Sequence, residues 1–254
     1  PISHLFQTEE LTNEICTLST SLEARERTSK LRLQNTTHYH IDFDLNIGLT
    51  EDNINFLKNE VKDRQGIHTL TFQISKDSEK VQIKKGIFYP ESRPLEEKIQ
   101  IENFKKSLRI IRDIVGTDKT IGFENNNYYD TGAYDLCTSQ EFIIKLLNDT
   151  EAKLLFDYSH AFVSCFNRGT NFESYAKSLL STKKCIQMHL CEVNYIYRRN
   201  GPMCIDAHDI PTPKTTSKAV ELIEEYDISS LTVEYYKDKS ILANYLSYLN
   251  SKLN

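Results

Sequence analysis

Short, β-rich apolar runs alternate with longer amphipathic stretches along this chain, and that alternation restricts its fold more than any other feature. Strands that take turns with helices build βαβ units, which assemble a parallel sheet or barrel with helices on the outside. Candidate strands are THYHIDFD (37–44), IHTLTFQI (67–74), KTIGFEN (119–125), KLLFDY (153–158), CIQMHL (185–190) and LTVEYY (231–236). Between them, LTEDNINFLKNEVKD, PLEEKIQIENFKKSLRIIRDIV, SQEFIIKLLND, FESYAKSLL and TSKAVELIEEY space apolar residues three and four apart, as helices packed on a sheet do. Thr50, and Thr138 or Ser139, stand where helix N-caps belong. The expected fold class is α/β: a (β/α)8 TIM-like barrel, incomplete or irregular at its N-terminal end, with residues 1–254 forming one catalytic domain. A helix is expected around residues 8–30, followed by a weak strand signal in KLRLQ. Gly86, Pro90 and Pro94 make 81–94 a hairpin-like excursion, and 194–214 reads as a long, helix-poor loop.

With 254 residues, 39% of them hydrophobic, one continuous core is within reach. No apolar run is long enough for a membrane span, and PISHLFQTEE lacks the build of a signal peptide, so the cytoplasm is the default compartment. Six cysteines are scattered without a CxxC pairing, which argues against both a zinc ribbon and a disulfide framework. The net charge of -5 provides no broad positive field, which weighs against nucleic acid as the main partner.

Ligand-type residues fall at, or just past, the C-terminal ends of the expected strands, the rim where barrel enzymes assemble their sites. They are His40, Glu124, Asp157, His160, His189, Asp206, His208 and Glu234. Each alone has a plain alternative. Glu124 would serve as a solvated strand-end charge, Asp157 as a helix cap, His189 as a satisfied core histidine, and Asp206 with His208 as an Asx-type turn. As an ordered set they suit borderline divalent cations such as iron, zinc or manganese, because imidazole and carboxylate are both on offer. Eight candidates against three or four per ion imply more than one ion. Without cations, clustered carboxylates would repel one another and take up protons.

The order Glu124, Asp157-x-x-His160, His189, Asp206-x-His208, Glu234 resembles the ligand order of the xylose-isomerase-like barrel superfamily. Within it, GFENNNYY, LLFDYSHAFVS, IQMHL, IDAHDIPTP and VEYYKD are most similar to successive motifs of the multinuclear nonheme iron-dependent oxidases. That resemblance implies two or three iron ions, with zinc or manganese as substitutes, and oxidation of a residue, cysteine above all, in a ribosomally made precursor peptide by dioxygen. It also implies a small partner protein that delivers the peptide. Carried over, one ion falls to Asp157, His189 and Glu234, another to His160, Asp206 and His208, with Glu124 bridging and His40 completing a third position. Glu124, Asp157, His189 and Glu234 are then the catalytic set. Two departures stand out: Gln73 replaces an expected histidine, and HLCEVN replaces the continuation HLAGH. Asn126, Tyr128 and Arg198, with Asn125, Tyr129 and Arg199, are candidates for gripping a peptide near the mouth. The competing classes are a sugar isomerase or epimerase using Glu124 and Glu234 for proton transfer, an endonuclease IV-like phosphodiesterase, and a barrel that merely binds a partner.

Overall fold

The computed structural model describes residues 14–26, 35–62, 64–199 and 201–253. Seven strands form one parallel sheet: β1 (Leu22–Arg25), β2 (Thr36–Asp44), β3 (Thr69–Gln73), β6 (Thr120–Glu124), β7 (Lys153–Asp157), β8 (Cys185–Leu190) and β11 (Leu231–Val233). Two antiparallel hairpins stand apart from it, β4–β5 (Val81–Lys84 and Ile87–Pro90) and β9–β10 (Glu192–Arg198 and Gly201–Asp209). The helices are α1 (Glu51–Phe56, continuing as a π-helical turn over Leu57–Val61), α2 (Glu97–Val115), α3 (Gln140–Asp149), α4 (Tyr158–Arg168), α5 (Phe172–Leu180), α6 (Pro213–Tyr226) and α7 (Lys239–Leu253). Spatial order follows chain order, as repeated right-handed βα units require.

The period-2 alternation of each strand sorts its side chains into two layers. Tyr39, Ile41, Leu70, Phe72, Ile121, Phe123, Leu154 and Phe156 join helix residues such as Phe104, Leu108, Ile143 and Leu146 in the main apolar cluster. Burying each of these large side chains contributes roughly 1.5–3 kcal/mol. Phe104 meets Phe123 edge to face with ring centroids 5.1 Å apart, an arrangement that adds about 0.5–1.5 kcal/mol. The alternate positions, among them Glu23, His40, Gln73, Glu124, Asp157 and His189, are buried as well, yet polar. At Gly122 on this inner layer a Cβ would stand 3.0 Å from the Lys153 carbonyl oxygen, so the approach of β6 to β7 needs glycine.

Among the described residues, β11 and β1 share no backbone ladder, and side chains span the gap instead. Glu23 Oε2 accepts from Gln187 Nε2 at 2.5 Å, His189 Nε2 at 2.8 Å and Thr232 Oγ1 at 3.3 Å, while Arg25 ion-pairs with Glu234. Among the described residues seven parallel strands form the sheet, and the barrel, irregular at its N-terminal end as expected, is nearly closed.

Two sequence expectations change. Within the helix expected around 8–30, the described residues Leu22–Arg25 form strand β1 instead, because Leu22 and Ala24 face the core while Glu23 and Arg25 face inward, a period of two rather than 3.6. KLRLQ lies outside the described residues. The segment 194–214 is no loop for most of its length: β9 and β10 pair from Arg198↔Gly201 to Asp206↔Val193. The 81–94 hairpin is present, turning through Lys85 (φ 52°) and Gly86 (φ 77°), the left-handed pair that a tight hairpin demands. Thr50 caps α1 in a reciprocal capping box with Asn53, and Ser139 rather than Thr138 caps α3.

Candidate metal centre

Strand register brings the ligand-type residues to one level of the barrel. Gln73 lies beside Glu124 across β3–β6, Asp157 beside His189 across β7–β8, and Glu234 follows β11 directly, its amide donating to the Leu190 carbonyl at 2.9 Å. Asp206 and His208 arrive on β10, where the ladder slips between Asp206 and Asp209. That irregularity, with His208 in the left-handed region at φ 46°, swings the His208 ring toward the barrel mouth.

Ligand atoms of Glu124, Asp157, His189 and Glu234 all lie within 4.8 Å of one another, and all four residues are buried. Three of those side chains end in buried atoms without a hydrogen bond: Glu124 Oε1, Asp157 Oδ2 and His189 Nδ1. Glu124 Oε1 is 2.9 Å from His189 Nδ1, and Asp157 Oδ2 is 3.9 Å from it. Drawn together in a buried pocket, with a proton between Glu124 Oε1 and His189 Nδ1 as the link between them, these atoms suit a shared cation that takes the proton's place. Asp206 Oδ2 extends the cluster, 3.4 Å from His160 Nε2 and 3.2 Å from His208 Nδ1, and His208 Nε2 is 3.4 Å from Glu234 Oε2. The plain alternatives coexist with this geometry. Asp157 Oδ1 caps α4 by accepting from the His160 amide at 2.7 Å, and Asp206 Oδ1 accepts from the His208 amide at 3.3 Å, leaving the other oxygen of each for the cluster.

Neighbouring groups fix which ring nitrogens face inward. His160 Nδ1 donates to the Asn125 carbonyl at 2.9 Å, which leaves Nε2 as the free lone pair. His189 Nε2 donates to Glu23 at 2.8 Å, which leaves Nδ1. Carboxylates or carbonyls behind an imidazole commonly orient metal-binding histidines in this way. Glu23 and Arg25 were missed in the sequence because LEAR is composed of helix formers; the alternation of Leu22 and Ala24 with Glu23 and Arg25 was the available signal. Replacing Glu23 with Gln keeps its shape but removes the charge behind His189. Metal affinity should fall about 10–100-fold, measured by competition with a chromophoric chelator; affinity unchanged within twofold would show that Glu23 does not tune the site.

Burial drives the Asp157 carboxyl up to about 7, with Glu124, Glu234 and Asp206 adding repulsion against the pull of His160. Burial opposes charge on His160 and His189, but the carboxylates around them outweigh it and hold both well above the usual imidazole value. Burial also opposes charge on Glu234, and Arg25 and His189 overcome it to keep that carboxylate well below its usual range. Asp157, His160 and His189 therefore hold more protons folded than unfolded. In metal-free protein, stability should fall as pH rises, through Asp157 from about 4 to about 7 and through the imidazoles above about 6.5. A cation must displace those protons, so metal uptake should acidify a weakly buffered solution, and affinity should rise with pH across that range. Uptake without proton release, followed with an indicator dye, would contradict this protonation pattern.

His40 stands at the edge of the cluster. Its Nδ1 bonds Thr71 Oγ1 at 2.8 Å, and its Nε2 lies 3.4 Å from Glu124 Oε2 with the Gln73 amide nitrogen 2.8 Å away. Gln73 also donates to Glu124 Oε2 at 2.5 Å and accepts from Asn126 at 2.9 Å. Beyond lies a cavity of 730 Å³ framed by both hairpins, with Asp206 and His208 in its wall. Asn126, Tyr129 and Arg198 line it. Tyr128 does not: the Arg168 guanidinium stacks on its ring at 3.8 Å. Asn125 is turned inward, clamping the Asp157 backbone through bonds of 2.8 and 2.9 Å.

A family model described as RiPP precursor modification enzyme MbnB/TglH/ChrH matches residues 94–241, more than half of the chain. The chain belongs to that family. The match takes in every ligand-type residue of this MbnB/TglH/ChrH member from Glu124 to Glu234, and leaves His40 and Gln73 outside it. No curated protein sequence matches significantly. Among solved structures, an L-ribulose 3-epimerase aligns with TM-score 0.63 and 11% identity over 99% of this chain and 93% of its own. The 3-keto-D-glucoside 4-epimerase of E. coli aligns with TM-score 0.62 and 12% identity over 98% and 97%. A xylose isomerase domain containing protein from Salmonella typhimurium aligns with TM-score 0.59 and 12% identity over 99% and 95%. At such identities the likeness shows the xylose-isomerase-like barrel and nothing of the reaction. No helix among the described residues is long and apolar enough to cross a membrane.

Proposed function

We propose that this enzyme is a multinuclear iron-dependent oxidase that uses dioxygen to modify a residue, cysteine foremost, of a ribosomally made precursor peptide. Family membership supports the peptide as substrate. The observation that carries the metal dependence is the convergence of buried donor atoms of Glu124, Asp157, His189 and Glu234 within 4.8 Å of one another. In this reading Glu124, Asp157, His189 and Glu234 hold one ion, and His160, Asp206 and His208 reach toward a second. Glu234 stands between them, with Oε1 3.4 Å from His189 Nδ1 and Oε2 3.4 Å from His208 Nε2. The mixed imidazole and carboxylate set fits iron, zinc or manganese. Bound iron would supply a Lewis acid for anchoring a thiol and the electrons for reducing dioxygen.

The chain's own contribution is orientation and enclosure. Glu23 and the Asn125 carbonyl hold the two imidazoles with their lone pairs inward. The hairpins wall a cavity that shields the centre yet admits an extended segment, with Asn126 and Arg198 placed to grip its backbone or a carboxylate. A small delivery protein is part of this proposal, and the exposed Ile83 and Tyr197 of the two hairpins are suited to meet it.

The test is elemental analysis of anaerobically purified protein, followed by exposure to air with a cysteine-containing precursor peptide encoded beside it. Iron in near-integral amounts and an oxygen-dependent mass change on the peptide are expected. Zinc alone with activity on abasic DNA, or one labile divalent ion with sugar epimerisation, would overturn the proposal.

A further inference from the structure

Cys191 follows β8 directly and is buried beside the barrel mouth. Its Sγ, a ring nitrogen of His208 and a carboxylate oxygen of Glu234 all lie within 4.8 Å of one another. Sγ is also 3.2 Å from Asp206 Oδ1 and 3.2 Å from Ser159 Oγ. Metal–sulfur bonds of about 2.3 Å and metal–nitrogen bonds of about 2.0 Å place donors around a tetrahedral ion roughly 3.5 Å apart. Side-chain shifts of about an ångström close the trio on one cation. Among the described residues, no other cysteine joins such a group.

We propose that Cys191 is a thiolate ligand of the ion held by His208 and Glu234, giving the centre a sulfur donor supplied by the protein itself. This rests on the metal-dependent reading above. On binding, the S–H bond breaks and a sulfur–metal bond forms. The proton passes to the neighbouring Asp206 carboxylate and on to solvent, and no electron changes hands. A protein thiolate here fills a place that a substrate thiol would otherwise take, so substrate sulfur is directed to the ion at Glu124, Asp157 and His189. The soft donor also biases this position toward iron or zinc and away from magnesium.

The test loads the metal-free full-length chain with cobalt(II) under anaerobic conditions and records its near-ultraviolet and visible spectrum. A sulfur-to-cobalt charge-transfer band is expected in the wild-type chain and in a Cys185→Ser control, and is lost in Cys191→Ser. Removing a mere supporting partner lowers metal affinity about 10–100-fold, and Cys191→Ser should weaken cobalt at least as much. Cobalt bound in full without the band, or a band surviving in Cys191→Ser, overturns the thiolate while leaving the metal centre standing. A chain that takes up no cobalt overturns both.

Discussion

His208→Ala should reduce peptide turnover to the background of metal-stripped protein and lower bound metal, while leaving the barrel folded. The ring is only partly buried, belongs to none of the apolar clusters, and touches chiefly Asp206, Glu234 and the face of Tyr236. Truncation therefore removes a donor without opening a core cavity, and away from a core the stability change should stay within about 1 kcal/mol. The backbone supplies a control. At φ 46° alanine is as strained as histidine, whereas glycine is not. His208→Gly should thus lose as much metal as His208→Ala yet be more stable by about 1 kcal/mol. Elemental analysis and thermal melting read the two effects separately. A His208→Ala protein with the full wild-type complement of metal would remove His208 from the centre.

How much of this was legible in the sequence follows from which forces wrote it. The six strands from β2 to β11 and the helices between them were visible because burial imposes a period of two on one and 3.6 on the other. The polar half of each strand pattern was the informative half: in a closed barrel the inner positions are expected to be apolar, so His40, Glu124, Asp157 and His189 stand out as candidates. β1 was hidden because four residues are too few to establish a period against helix-forming Leu, Glu, Ala and Arg, and with it went the partner of His189. The hairpin β9–β10 reads as a loop in the sequence, since its pairing depends on a match between Val193 and Asp206 and on a bulge that no local signal announces. The double use of Asp157 and Asp206, one oxygen for the backbone and one for the cluster, is a matter of three-dimensional aim and leaves no trace in spacing.

Gln73→His should increase the metal bound by one ion per chain. Gln73 ends β3 in register with Glu124, its side chain on the inner layer with His40. Its amide nitrogen now does two jobs, standing 2.8 Å from His40 Nε2 and donating to Glu124 Oε2. An amide NH2 is a donor only, so it satisfies a buried imidazole lone pair and a carboxylate oxygen where a cation would otherwise do so. Histidine of similar volume has one N–H and one lone pair, so it can donate to His40 or to Glu124 but not to both, and the space gains an imidazole lone pair beside an acceptor left without its donor. Facing acceptors in a dry site are unfavourable, which drives uptake of a cation, and imidazole with carboxylate suits iron or zinc. Metal-free Gln73→His should accordingly be less stable than the wild-type chain by about 1–3 kcal/mol, the cost of an unsatisfied buried group, and metal should restore the loss. Unchanged stoichiometry together with a persistent loss of stability would show that His40 and Glu124 cannot share an ion, and that the amide at position 73 is a structural clasp rather than a plug.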